Sequence, residues 1–193
     1  MSIQIKSILA AAVAGLLANS AMAADGTINF TGEITAASCS LTGEGASGPV
    51  GAQIINVPLG KVSIDALGGA SGSAGTIAGS KSINLTLNCG QTGTGLKTVT
   101  LVLEPNASQL EGQMLKTTGA ATGVAIGIYD KNNNLVDLKS SKGITENLVP
   151  SGAAPDTTYS ADIGLRAAYV RIGADQPTAG PANASLPFTL IYD

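Results

Sequence analysis

The chain has 193 residues, with 10 Lys+Arg against 13 Asp+Glu and neither His nor Trp. The acidic balance disfavours nucleic acid as a partner, and the lack of His excludes a Ser-His-Asp triad and a Cys-His pair. Only 12% of residues are charged and 3% aromatic, which suits dense packing against copies of itself and leaves a sugar-binding sandwich short of the rings it needs.

Residues 1–23 carry a single charge, Lys6, an apolar run from Ile8 to Ala18, and the small-residue triplet Ala21-Met-Ala23. This is the pattern of a cleaved secretory signal. The run is shorter than the roughly 18 apolar residues a transmembrane helix needs. The expected product is exported and soluble, and without Lys6 it keeps 9 of the 10 basic residues against 13 acidic ones.

The next segment, 24–36, alternates. Ile28, Phe30, Gly32 and Ile34 fall on one face, and Asn29, Thr31 and Glu33 on the other. Cys39 follows, and Cys89 is the only other cysteine. In an oxidising compartment one pair leaves one connectivity. Such a bridge would contribute on the order of 4 kcal/mol in the chain-entropy model. The alternatives are two free thiols or a metal pair, for which neither His nor a third Cys is available.

Strand-like stretches recur at 27–41, 53–57, 82–89, 98–103, 124–129, 135–138, 159–172 and 183–192, while helical periodicity is scarce. Turn-rich separators lie between them, including Gly43-Glu-Gly-Ala-Ser-Gly-Pro49 and Asp130-Lys-Asn-Asn-Asn134. Residues 60–80, rich in Gly, Ala and Ser, predict a surface loop with a short helical turn around 63–67. One all-β sandwich is the expected architecture.

The last fourteen residues also alternate, with Ala184, Leu186, Phe188, Leu190 and Tyr192 on one face and Gly180 at the start. Pro187 removes one backbone donor from that strand. By periodicity alone, the two alternating ends could equally be ordinary edge strands of a closed sandwich.

Motifs for small-molecule chemistry are weak. Gly75-Thr-Ile-Ala-Gly-Ser-Lys-Ser82 lacks the Gly-Lys step and the strand-loop-helix context of a phosphate loop. Asp130 opens a segment like a calcium loop, but Leu135 stands where Gly is needed and Ser141 where the bidentate Glu is needed, so a hairpin turn is expected. Asn-x-Ser/Thr triplets begin at Asn29, Asn84, Asn106 and Asn183, the first, second and fourth within expected strands. No metal, cofactor or enzyme activity is expected.

Several segments, in this order and spacing, resemble the pilins of chaperone–usher fimbriae. They are Gly26-Thr-Ile-Asn-Phe-Thr-Gly-Glu-Ile34, Cys39, Val57-Pro-Leu-Gly-Lys-Val62, Cys89 after an alternating strand, Gly123-Val-Ala-Ile-Gly-Ile-Tyr-Asp130, and residues 180–192. The resemblance implies an incomplete immunoglobulin-like β-sandwich that lacks its final strand and is completed by a donor strand. It divides the chain into a signal peptide (1–23), an N-terminal donor-strand extension (24–36) and a pilin domain (37–193). Ile28, Phe30 and Ile34 would fill pockets of a neighbouring subunit, and Gly32 would sit where no side chain fits. Gly180, Leu186, Phe188, Leu190 and Tyr192 would belong to the C-terminal strand and acceptor groove. The implied partners are neighbouring pilin subunits, a periplasmic chaperone and an outer-membrane usher. The implied place is the surface of a Gram-negative bacterium, in a fimbrium supporting adhesion. Only Ala24-Asp25 precede the Gly26 motif, so an adaptor, anchor or terminator subunit is the alternative within the family.

Overall fold

The computed structural model describes residues 39–43, 45–47, 53–67, 79–140 and 143–193. The expected signal and donor segments, with Ile28, Phe30, Gly32 and Ile34, lie outside these residues. In chain order the strands are β1 (Ser40–Gly43), β2 (Ala46–Ser47), β3 (Ile54–Ile55), β4 (Lys81–Gly90), β5 (Thr98–Leu103) and β6 (Leu110–Glu111). They continue with β7 (Met114–Lys116), β8 (Val124–Asp130), β9 (Ile144–Asn147), β10 (Val149–Ser151), β11 (Thr158–Arg171) and β12 (Phe188–Tyr192). Among the described residues a seven-stranded sheet runs β1-β4-β11-β8-β7-β6, with β10 also on β11, and a three-stranded sheet runs β12-β5-β9. Strands β2 and β3 pair only with each other. Every pairing is antiparallel.

Period-two alternation explains which faces meet. In β4, Ile83, Leu85, Leu87 and Cys89 are buried while Ser82, Asn84, Thr86 and Asn88 face out. Ala161, Ile163, Leu165 and Ala167 of the neighbouring β11 join them on the same face, and Val99, Leu101 and Leu103 of β5 pack in the same core from the other sheet. Cys39 and Cys89 are joined as a disulfide, fastening the entry of β1 to the end of β4. Strand β8 is buried on both faces because its outer side carries a second apolar cluster. There Tyr129, Ala168 and Val170 pack with Met114 and Leu135.

Three expectations are revised. Residues 135–138 form no strand: Leu135 makes a single bridge to Tyr129, Val136 N–H donates to the Ile128 carbonyl, and the Asp137 carboxylate then accepts from Lys139 N–H. An Asx turn at Asp137 ends the pairing. The terminal strand begins at Phe188 rather than near residue 183, because Asn183 is drawn into a bridge with Thr118 and Pro187 has no N–H to extend a ladder. Strands β2, β6, β7, β9 and β10 were not expected, and β2 falls within the expected separator 43–49. Each is two to four residues long, too short to show a period, and is held by pairing with a neighbour. The short helical turn does form, as a 3-10 turn at Ile64–Ala66.

Gly180 lies in the crossover from β11 to β12. A Cβ there would come 2.8 Å from the Ala121 nitrogen and 2.9 Å from the Ala120 carbonyl carbon. Backbone cannot yield as a flexible side chain can. Gly180→Ala is therefore expected to destabilise the subunit by about 1–3 kcal/mol, read as a lowered midpoint in denaturant at unchanged slope.

Hydrogen bonds to Asp130 close the Asn-rich turn after β8. Asp130 Oδ1 accepts from Asn132 N–H and Asn134 N–H, both at 2.8 Å, and Oδ2 accepts from the Asn134 side-chain amide at 3.0 Å. Asn133 adopts the left-handed conformation that Asn tolerates in turns. Burial disfavours the Asp130 charge, but the hydrogen bonds from Asn134 and Asn132, with Lys131 alongside, hold its carboxyl below the ordinary 3.8. A depressed carboxyl stabilises the fold above the unfolded value and loses that contribution as pH falls through the folded one. Amide protection at Asn132 and Asn134 is expected to persist at pH 5 and to fall at pH values below 3.8, measurable by NMR.

Candidate functional site

An apolar groove of about 940 Å³ runs along one side of the sandwich. Residues 184–192 form one wall and residues 53–59 the other. Its floor is core: Ile83 and Leu85 of β4, Leu101 and Leu103 of β5, Ile126 and Ile128 of β8, and Leu165 of β11. Among the described residues no charged side chain lines it. The polar side chains among its described lining residues are those of Gln53, Asn56, Ser185, Thr189 and Tyr192.

Strand β12 gives the groove its chemistry. Phe188, Leu190 and Tyr192 are half-buried and alternate with exposed Thr189 and Ile191. Its register on β5 pairs Phe188 with Leu103, Leu190 with Leu101 and Tyr192 with Val99. Asp193 and Thr98 exchange backbone hydrogen bonds at 3.0 and 2.9 Å, and the Pro187 carbonyl accepts from Glu104 N–H at 2.9 Å. In an antiparallel ladder the bonded positions alternate. The odd residues thus serve β5, while Phe188, Leu190 and Tyr192 turn their N–H and C=O to the opposite edge. Among the described residues no strand pairs with β12 there. The donor that Pro187 lacks belongs to the β5 side, so the proline takes nothing from the open edge.

Burial raises the Tyr192 phenol above the ordinary range, an effect that the nearby Cys39 backbone partly opposes. Leu186, Phe188, Leu190 and Tyr192 come together along one wall. Gly180 does not join them, and serves the crossover instead.

The second wall was only half legible. Residues 53–57 were expected as a strand, but just Ile54–Ile55 is one, and the role of Leu59 was not foreseen. The signal was present in the sequence: Ile55, Val57 and Leu59 alternate across Pro58, and all three pack against the core.

Among the described residues this is an apolar trough beside a strand edge without a partner, which has the means to hold an extended segment. Among the described residues, no three His, Cys, Asp or Glu side chains gather to hold a metal. The architecture is an incomplete immunoglobulin-like sandwich, in which one strand position beside β12 is open among the described residues. Residues 28–193 match the family described as "Fimbrial protein". The chain is 32% identical over 186 residues to a type-1 fimbrial protein subunit of Serratia marcescens, covering 95% of this chain and 96% of that one. Two solved structures share the fold. A chaperone–usher pilus structure does so with a TM-score of 0.51 at 21% identity, over 88% of this chain and 96% of its own. The P pilus rod subunit PapA does so with a TM-score of 0.50 at 22% identity, over 81% and 100%. The chain belongs to the fimbrial protein family and is a structural fimbrial subunit.

Proposed function

We propose that this chain is a non-enzymatic building block of a chaperone–usher fimbrium on a Gram-negative bacterium, polymerised by donor-strand exchange. The observation that carries the reading is β12. Its even residues present apolar side chains to the groove and unpaired backbone groups to its open edge. An added antiparallel strand satisfies both at once. Residues 24–36 of the next subunit supply that strand, with Ile28, Phe30 and Ile34 inserted into the groove and Gly32 at its tightest point. Before assembly a periplasmic chaperone lends a strand to the same groove, and exchange takes place at an outer-membrane usher. Residues 1–23 direct export and are removed.

Electron microscopy of cells with and without this gene tests the reading. Loss of filaments is the expected result. Intact filaments that merely fail to adhere would assign the chain a different place in the organelle.

A further inference from the structure

The two walls of the groove are anchored unequally. Strand β12 is built into the three-stranded sheet through five residue pairs with β5. The opposite wall, residues 53–59, belongs to neither main sheet: β3 pairs only with β2, through Ala46 with Ile55 and Ser47 with Ile54. Its other backbone bond, from Asn56 N–H to the Gly45 carbonyl at 2.9 Å, stays within the same small unit. Among the described residues, one side chain ties this wall to the seven-stranded sheet by hydrogen bonds. The Gln53 amide donates from Nε2 to the Leu41 carbonyl at 2.8 Å and accepts at Oε1 from Leu41 N–H at 3.1 Å.

Leu41 is only 3% exposed. Its backbone groups point away from β4 and would be left without partners beside the core if Gln53 were removed. A primary amide can satisfy both groups because it carries a donor and an acceptor side by side. It acts as a single strand rung made from a side chain.

We infer that Gln53 is a positioning residue for strand acceptance, its amide fixing the distance between the 53–59 wall and β12 and so setting how tightly an inserted strand is gripped. This rests on the strand-exchange reading above. The inserted strand pairs with β12 on one side and packs against Ile55, Val57 and Leu59 on the other. Loosening the Gln53 rung lets that second wall retreat without disturbing β12.

The test uses the exported subunit refolded with a fluorescent peptide copying residues 24–36, with peptide release followed under excess unlabelled peptide. Gln53→Leu is expected to speed release about 10-fold or more, the loss of two ordinary hydrogen bonds. Gln53→Glu keeps an acceptor for Leu41 N–H but sets a carboxylate against the Leu41 carbonyl. Its release is expected to be fast at pH 7 and to slow toward the wild-type rate near pH 4.5, as the carboxyl regains a proton to donate. Wild-type release should vary little over that range. Hydrogen exchange in the Gln53→Leu complex should quicken at residues 54–59, while the Leu190 and Tyr192 amides keep their protection. Unchanged release in both variants, or equal loss of protection on both walls, overturns the proposal. If Gln53→Leu does not fold, the pH comparison with Gln53→Glu decides alone. Failure of the wild-type chain to take up any peptide defeats the strand-exchange reading itself, and this assignment with it.

Discussion

A subunit carrying residues 24–36 fused after Asp193 through a flexible linker is expected to melt far above the same chain with residues 24–36 deleted. The open edge of β12 offers the N–H and C=O of Phe188, Leu190 and Tyr192, and each new backbone bond contributes about 1 kcal/mol net. Burying Ile28, Phe30 and Ile34 adds about 1.5–3 kcal/mol per side chain. Ordering the segment opposes these terms, and the linker reduces that cost by making the encounter intramolecular. At about 2–4 °C per kcal/mol for a domain of this size, the midpoint should rise by roughly 10–30 °C. A synthetic 24–36 peptide should act in the same direction in proportion to its concentration. A deleted chain that is already as stable as the fusion would mean that the sandwich is complete without a donor.

Assembly should be abolished, not merely slowed, by Phe30→Asp or Ile34→Asp. If residues 24–36 are the donor as proposed, these side chains would be spared burial in a neighbour's groove until exchange, so the substitution should leave folding and chaperone capture intact. After exchange the carboxylate would sit in a trough where no charged side chain of the described residues could pair with it, and an unpaired buried charge costs several kcal/mol or more. Periplasmic co-purification with the chaperone at wild-type yield, together with absence of filaments by microscopy, is the expected pair of results. Filaments of normal length and heat resistance would take these residues off the donor face.

Long alternating strands were legible from sequence. Strands β4, β5, β8 and β11 fall within a residue of the expected bounds, because each carries enough period-two signal to outweigh its polar residues. The parity of β12 was equally plain, since Phe188, Leu190 and Tyr192 alternate with Thr189 and Ile191. What escaped depends on contacts distant in sequence. Ile144-Thr-Glu-Asn147 was not among the expected strands and becomes one only because β5 offers it an edge. Asn183 reads as strand and is taken instead by Thr118. Gln53 gives no sign in the sequence that it completes Leu41, twelve residues earlier. Pro187 looked like a flaw in the terminal strand, and only the register shows that its missing donor faces β5.

That no charged side chain of the described residues lines the groove bears on the settings in which a fibre can last. Dissolved salt weakens attraction between exposed ions, such as that of Lys131 for Glu146 on this subunit's surface. It has no such hold on an oily seam, and strongly hydrated salts drive apolar faces together more firmly. Brine that loosens the outer surface of such a fibre would therefore leave its joints intact, so links of this kind can be made once and need no renewal when the surrounding water changes.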